Sequence, residues 1–202
     1  MGMPAVRRHW TSADVRTLID ESPTAWPRYE LIDGELLVTP SPGTPHQIAV
    51  AAMVHLLHPY LERERVGVVL TAPADLELRP ETIVQPDVFV LPEGAADVGD
   101  GWTWRDVRRM LLAVEVISPS SVRTDRVTKR DYYLDVGVPD YFIVDVDARI
   151  IEHWSPQRDT PLVLRDQLVW HAAGAEQPLT AWLPEFFDGI IDKLQFIGSK
   201  ER

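Results

Sequence analysis

The sequence predicts an α/β fold with a mixed central β-sheet flanked by helices and extended by antiparallel hairpins. Residues 110–146 have the pattern strand, helix, strand, which is typical of two parallel strands joined by a crossover helix. Hairpin patterns occur on both sides of that unit and would add antiparallel strands. We expect one domain over residues 1–202, with a core at about 29–147 and a β-rich extension at 148–202.

Before residue 110, the spacing of apolar residues predicts two helices and three strands in addition to a hairpin. The first helix is capped by Thr11 or Ser12 and ends before Pro23. The second begins at His46, and Pro59 is expected to bend it. The predicted elements are helices at 12–20 and 46 to about 64, strands at 66–71, 75–78 and 82–91, and a loop at 92–101.

The clearest local pattern is a β-hairpin. Two strand-forming segments, YELI and ELLV, flank Asp33-Gly34, a dipeptide that favours the type I′ turn. In that register Glu30 lies opposite Leu37 and on the same strand face as Ile32. An acidic side chain is therefore expected among apolar groups, although an acid beside a hairpin turn can also be exposed to solvent.

After residue 110, the pattern centres on an apolar strand and the helix that follows it. Residues 110–117 predict a strand that is apolar on both faces. The next helix, at about 122–136, ends where Gly137 can form a left-handed C-cap. The remaining predicted elements are strands at 141–146 and 149–154, weak strands at 162–164 and 167–171, and a closing segment around 183–194.

The composition excludes several kinds of site and partner. The chain has no cysteine, so disulfides, thiolate catalysis and cysteine-ligated zinc are excluded. It shows neither an apolar run of roughly 20 residues nor the apolar core of a secretory signal, so we expect a cytoplasmic location without a membrane partner. The net charge of −11 disfavours indiscriminate binding to polyanions. Residues 105–131 hold seven basic and four acidic residues, which could bind a polyanion locally or form a solvated face of salt pairs.

Three carboxylates fall within apolar strand patterns. Glu115 lies in the apolar run at 110–117, and a desolvated carboxylate is costly unless it meets a cation, a metal ion or a proton. Asp87 shares a predicted strand face with Phe89, and Glu30 is the third acid. Hard divalent cations such as Mg²⁺ prefer oxygen ligands and orient water and phosphate. These acids therefore indicate metal-dependent phosphodiester hydrolysis.

Lys129 is the candidate cation of the same site. It lies about two turns into the predicted crossover helix and could lean over the sheet toward Glu115. A lysine there can offset negative charge on a phosphate and lower the pKa of an attacking water. Two simpler alternatives are open: Lys129 could form an i, i+4 salt bridge with Asp125, and Asp87 could bond backbone amides at a strand bend.

The motifs that contain these residues resemble a known family. They are YELIDGE from Tyr29, PDV at 86–88, EVISPSS at 115–121 and DR..K..YY...GV.DYFIVD at 125–145. Together, from about Tyr29 to Asp147, they are similar to the Uma-type restriction endonucleases, a branch of the PD-(D/E)XK nuclease superfamily. The resemblance implies a restriction-endonuclease-like fold and an endonuclease that cleaves DNA with Mg²⁺, or alternatively Mn²⁺.

The resemblance also implies roles for individual residues. Asp87 is similar to the first metal-binding acid of the family, Glu115 to the second, and Glu30 to an N-terminal acid that completes the site. The superfamily lysine normally follows the second acid by two residues, but that position is Ile117 here. Lys129 matches the lysine of this branch, which is expected to polarise the attacking water.

Three further positions have open roles. The backbone carbonyl of Val116 is implied as another metal ligand. His46 matches a histidine found in the family and could touch the substrate, or it could be a helix-start residue without chemistry. Tyr133 lies one turn beyond Lys129 and could hydrogen-bond a carboxylate or the phosphate, or it could simply be packed.

Two other functions remain open at the level of sequence. A catalytically silent nuclease-like module could use the basic helix to bind a nucleic acid or a protein. A dimeric scaffold could use the C-terminal aromatic residues, and a homodimer would also suit a nuclease that cuts both strands. Substrate specificity is expected to depend on loops such as 39–45 and 92–101. The aromatic residues in question are Trp170, Trp182, Phe186 and Phe187.

Overall fold

The order of elements in the computed structural model follows the predicted alternation of helices and strands. The structure describes residues 9–24, 26–96 and 101–198, so residues 97–100 of the predicted loop lie outside it. In chain order the elements are α1 (Ser12–Asp20), β1 (Arg28–Ile32), β2 (Glu35–Thr39), α2 (Thr44–Glu64), β3 (Val68–Thr71), β4 (Val88–Leu91), a 3-10 helix (Trp104–Asp106), β5 (Leu112–Val116), a π-helical segment (Thr124–Lys129), α3 (Arg130–Asp135), β6 (Asp140–Asp145), β7 (Ile150–Trp154), β8 (Leu162–Leu164), β9 (Gln167–Trp170), β10 (Leu179–Trp182) and α4 (Leu183–Gly198).

A mixed six-stranded sheet forms the centre of the fold. Its strand order is β3-β4-β5-β6-β7-β8. Strands β5 and β6 are parallel, whereas the other neighbouring pairs are antiparallel. The π-helical segment and α3 connect β5 to β6, as a parallel crossover requires. The pairs β1–β2 and β9–β10 form separate two-stranded antiparallel sheets. The predicted α/β class is confirmed.

The N-terminal hairpin has the predicted register. Glu30 pairs with Leu37, and Asp33 and Gly34 have φ angles of 50° and 76°, as the type I′ turn requires. Arg28 and Glu30 are both buried and share one face of β1 because alternate residues of a strand point the same way. The alternative of a solvent-exposed Glu30 is therefore wrong.

The segment before β4 differs from the prediction. The strands expected at 75–78 and 82–91 are largely wrong, since only Val88–Leu91 forms a regular strand there. The preceding residues make isolated bridges instead. Pro86 lacks the N–H that a continuous ladder needs. Asp87 consequently lies in the bend that leads into β4 rather than within a strand.

The crossover helix contains an irregularity that the sequence did not predict. Its π-helical segment runs directly into α3, and Gly137 follows at φ 82°, as predicted for a left-handed C-cap. A π turn inserts an extra residue into the helical ladder, and such turns are frequent at functional sites. Asp125 and Lys129 are both buried in this segment.

Two apolar layers cover the sheet and fix the direction of Glu115. On one face, Phe187 of α4 belongs to the same core as Val114 and Val116 of β5. On the other face, Tyr133 of α3 packs in a second core. Glu115 lies between Val114 and Val116 in β5, so its side chain points to the face that carries α3.

The C-terminal region combines strands with a long helix. Strands β7 and β8 join the central sheet, and α4 covers the predicted closing segment. Trp170 and Phe187 are buried in the core, so their predicted part in a partner surface is wrong, whereas Trp182 is 56% exposed. Within the described ranges, none of the helices, α4 included, has the length and apolar character needed to cross a membrane.

Candidate active site

Lys129 is surrounded by three carboxylates. Its Nζ lies 2.9 Å from Glu30 Oε2, 3.0 Å from Glu115 Oε1 and 3.9 Å from Asp125 Oδ1, and no side chain of the four is more than 4% exposed. We call these four residues the Lys129 cluster. Because Glu30 and Glu115 are closer than Asp125, an i, i+4 salt bridge alone does not explain where Lys129 lies.

Asp87 accepts hydrogen bonds from three N–H groups. Arg28 Nη2 donates to Oδ1 at 2.8 Å, while His46 Nε2 and the Val116 backbone N–H donate to Oδ2 at 2.9 and 3.0 Å. We call Asp87 and these three donors the Asp87 cluster. His46 projects from the first turn of α2 and contacts a predicted metal-binding acid. Val116 makes this contact through its N–H, and the role of its carbonyl stays a prediction.

The two clusters line one cavity of about 290 Å³. Four separate parts of the chain bring them together: the N-terminal hairpin, the start of α2, the sheet strands and the π-helical segment. Glu30 is fully buried and joins the site through its contact with Lys129. The members of the two clusters that line the cavity are Arg28, His46, Asp87, Glu115, Val116, Asp125 and Lys129.

The two acids of the cavity have opposite pKa shifts. Burial opposes ionisation of Asp87, but the hydrogen bond and charge of His46, followed by the charges of Arg28 and Lys129, lower its pKa below the usual value. Burial raises the pKa of Glu115 well above its usual value. The charge of Lys129 lowers this pKa only in part, because the neighbouring carboxylates raise it further. The fold therefore favours the ionised form of one acid and disfavours that of the other.

Burial and neighbouring charges also shift the pKa values of Lys129, Asp125 and the adjacent Tyr133. Burial opposes the charge of Lys129, yet Glu115 and Glu30 raise the pKa of its ammonium group, which keeps it protonated. Burial raises the pKa of Asp125 to about 6. Tyr133 donates to Glu115 Oε1 at 3.2 Å, and burial raises the pKa of its hydroxyl, so this buried tyrosine is both packed and bonded to the site.

Comparisons with known proteins identify the family of this chain. A family model described as "Putative restriction endonuclease" matches residues 17–187. The chain belongs to this family, Uma2. The resemblance found in the sequence motifs is thereby confirmed, and membership of Uma2 supports a nuclease.

A solved structure supports the fold of this Uma2 chain. The crystal structure of "a putative nuclease belonging to DUF820" from Anabaena variabilis ATCC 29413 matches with a TM-score of 0.69 and 18% sequence identity. The match covers 87% of this chain and 98% of the other. At this level of identity the likeness shows the fold alone. A comparison with curated proteins finds no match.

The charges of the Uma2 site suit a divalent cation, although its donors are already engaged. Four buried carboxylates face two buried cations, Lys129 and Arg28, so full ionisation of the acids would leave two negative charges uncompensated. Across the described ranges, no three Asp, Glu or His side chains converge as a ready metal site. Lys129 contacts Glu30 and Glu115 at the same time, so a cation bound there would have to share these oxygens with the lysine.

Arg28 is a member of the site that the sequence did not reveal. In addition to Asp87, it bonds the Gln85 carbonyl through Nη1 at 3.2 Å, and its guanidinium lies 4.8 Å above the Trp26 ring. Its Nε is buried without a hydrogen bond. The sequence does contain an indication of this role, because Arg28 precedes Glu30 by two residues in a strand and so must lie on the same face.

Proposed function

We propose that this protein is a metal-dependent endonuclease that hydrolyses DNA phosphodiester bonds. The observation that carries the proposal is the convergence of Asp87, Glu115 and Lys129, from distant parts of the chain, on one cavity. Membership of Uma2 supports the same chemistry. The excess of buried carboxylates over buried cations in the site gives a physical reason for a divalent cation, with Mg²⁺ or Mn²⁺ as the ion.

Each residue has a specific part in the proposed reaction. A divalent ion at this position would polarise the phosphate and activate a water. Asp87 and Glu115 would hold the ion, with the carbonyl of Val116 as a further ligand, and Glu30 would support it directly or through water. Lys129, which stays protonated, would bring a positive charge to the attacking water and the phosphate.

Cleavage assays with matched variants test this proposal. Labelled DNA, as plasmid, linear duplex and single strand, is incubated with Mg²⁺, Mn²⁺ or EDTA. We expect cleavage only with metal, and a loss of about 100-fold or more in Asp87→Asn, Glu115→Gln and Lys129→Met because each removes a charged group from the site. Asp131→Asn, an exposed acid of α3, is the control and should cleave as the wild type does. Unchanged cleavage by Lys129→Met would contradict the role of Lys129.

Calorimetry with Mn²⁺ tests metal binding without relying on activity. We expect a saturable isotherm for the wild type and a loss of about tenfold or more in affinity for Glu115→Ala, because a ligand oxygen is removed. The same isotherm for both proteins would favour the alternative, a silent nuclease-like module that binds a nucleic acid or a protein. One observation favours that alternative: Lys129 and the donors around Asp87 already satisfy the predicted ligands.

We also propose that the protein forms a homodimer. Apolar side chains remain exposed near the C-terminal end, with Trp182 56%, Phe196 83% and Ile197 63% exposed, and such groups are typical of partner surfaces. Light scattering coupled to size-exclusion chromatography measures the mass directly. A monomeric mass at concentrations of about 100 μM would contradict the proposal, since the dissociation constant of a dimer would then lie above that concentration.

A further inference from the structure

We propose that the cavity accepts an unpaired nucleotide, so that the substrate is a single-stranded segment of nucleic acid rather than continuous duplex. This inference rests on the proposed nuclease function and specifies its substrate. Three features of the cavity lead to it: its size, the hydroxyl groups of its walls and an apolar edge on β2.

The size of the cavity limits what can reach the acids. Its volume of about 290 Å³ is just below the roughly 300–1,000 Å³ of pockets that enclose one small ligand. Asp87, Glu115 and Lys129 are only 4%, 2% and 3% exposed, so a phosphate must enter this cavity to meet them. The cavity has room for about one nucleotide, whereas a B-form duplex, with a major groove alone about 12 Å wide, is far larger.

The walls of the cavity carry neutral hydrogen-bonding groups. On one side, Pro40 and Pro42 fix the backbone of the β2–α2 connection. Hydroxyl groups hydrogen-bond phosphate and sugar whatever the base sequence. Because they are uncharged, they do not supply the charge neutralisation on which binding of a long polyanion depends. The net charge of −11 opposes nucleic acid in general, and a duplex carries about twice the phosphate charge of one strand per unit length. Six hydroxyl residues line the cavity: Thr39, Ser41, Ser118, Ser120, Ser121 and Thr124.

The apolar edge provides a surface for a base face. Leu36, Leu37 and Val38 of β2 line the cavity, and Val38 is 54% exposed. In a duplex the faces of the bases are covered by stacking, so only an unstacked base can pack against such side chains. Hydroxyl groups for the backbone and apolar groups for a base face therefore occur together in a space of about one nucleotide.

A substrate panel tests the inference. One DNA sequence is offered as a single strand, as a blunt duplex and as a duplex with a single unpaired nucleotide, all with Mn²⁺, and the same panel is made in RNA. We expect the unpaired positions to be cut about tenfold or more faster than the continuous duplex, because a paired base must first leave its stack. Preferential cutting of unpaired DNA or unpaired RNA supports the inference, and the two series show which sugar is accepted.

The outcomes separate this inference from the function it rests on. Equal cleavage of continuous duplex and single strand would overturn the inference and leave the nuclease function intact. No cleavage of any substrate would overturn both.

A matched pair of variants tests the apolar edge independently of catalysis. Val38→Ser removes the exposed apolar group at the cavity, and Val163→Ser removes one that is 45% exposed on β8, outside the cavity. Binding of a fluorescent single-stranded 10-mer is measured by anisotropy in Ca²⁺. We expect Val38→Ser to weaken binding about threefold to tenfold, as the loss of an apolar contact does, with Val163→Ser within about twofold of the wild type. Equal affinity of both variants for the strand would contradict the role of β2.

Discussion

The Lys129 cluster and the Asp87 cluster share one cavity but solve the burial of charge in different ways. In the Lys129 cluster, three carboxylates share one ammonium group. In the Asp87 cluster, one carboxylate receives three N–H donors, including the guanidinium of Arg28. The pKa of Asp87 is therefore lowered, whereas those of Glu115 and Asp125 are raised by burial and by neighbouring carboxylates.

This difference shows where the site lacks positive charge. In the Asp87 cluster the charge of Arg28 alone already matches that of Asp87, and His46 adds a further donor. In the Lys129 cluster three carboxylates face one ammonium group, so their full ionisation would leave two negative charges uncompensated. A divalent cation bound in the cavity would reduce the repulsion among the carboxylates of the Lys129 cluster. In the Asp87 cluster it would meet a carboxylate that is already ionised and fixed in position.

Removing Lys129 should have the largest effect on stability. Lys129→Met leaves Glu30, Glu115 and Asp125 buried without a cation, and breaking a buried pair in this way costs about 3–5 kcal/mol. Urea unfolding at pH 7 in EDTA measures this loss. Arg149→Met breaks the ion pair with Asp188 at the surface and is the control, with an expected cost of about 1 kcal/mol or less. Equal losses in the two variants would show that the cluster is not desolvated as described.

Asp125 makes the same cluster sensitive to pH. Burial raises its pKa from 3.8 to about 6, so between about pH 4 and pH 6 the folded protein keeps a proton that the unfolded chain has released. Stability therefore falls as pH rises through this window. Asp125→Asn removes that cost and should gain about 2–3 kcal/mol over the wild type at pH 7 but little at pH 4, in urea unfolding with EDTA.

The control for this pH dependence lies on the same helix. Asp131 is exposed beside Arg130, so Asp131→Asn should show the same small difference from the wild type at both pH values. A gain for Asp125→Asn that does not change between pH 4 and pH 7 would mean that folding does not raise the pKa of Asp125.

The sequence predicted the Lys129 cluster better than the Asp87 cluster, for physical reasons. An acid in an apolar strand, such as Glu115, is conspicuous because burial of charge is rare. The hairpin register, which placed Glu30 on a buried face, was set by a two-residue turn and was also predictable. Arg28 lies in a strand and His46 lies at the start of a helix, where polar residues are common and do not by themselves indicate a site. Only the tertiary structure brings them to Asp87, whose place in a bend rather than a strand also escaped prediction.

Loss of Arg28 should unbalance the Asp87 cluster. Arg28→Met keeps the length of the side chain but removes the donor to Asp87 Oδ1, and a hydrogen bond to a charged group contributes about 2 kcal/mol. The expected loss in urea unfolding at pH 7 is therefore smaller than for Lys129→Met, because His46 and Val116 still donate to Asp87. Since the guanidinium lowers the pKa of Asp87, the loss should diminish as the pH falls and Asp87 becomes protonated in both proteins. A loss independent of pH would assign it to packing against Trp26 instead.

The smallest effect is expected at His46. His46→Ala removes one of three donors to Asp87, at a cost of about 1 kcal/mol, whereas His46→Gln can retain an N–H and should lose less. Urea unfolding of the wild type, His46→Ala and His46→Gln at pH 7 in EDTA measures the order of their stabilities. Mn²⁺ affinity sharpens the comparison, because His46 orients an oxygen of a proposed ligand, and loss of such an orienting bond weakens metal binding about 10- to 100-fold. If both variants bind Mn²⁺ as the wild type does, His46 fixes no ligand, and Arg28 and the Val116 N–H alone hold Asp87 in place.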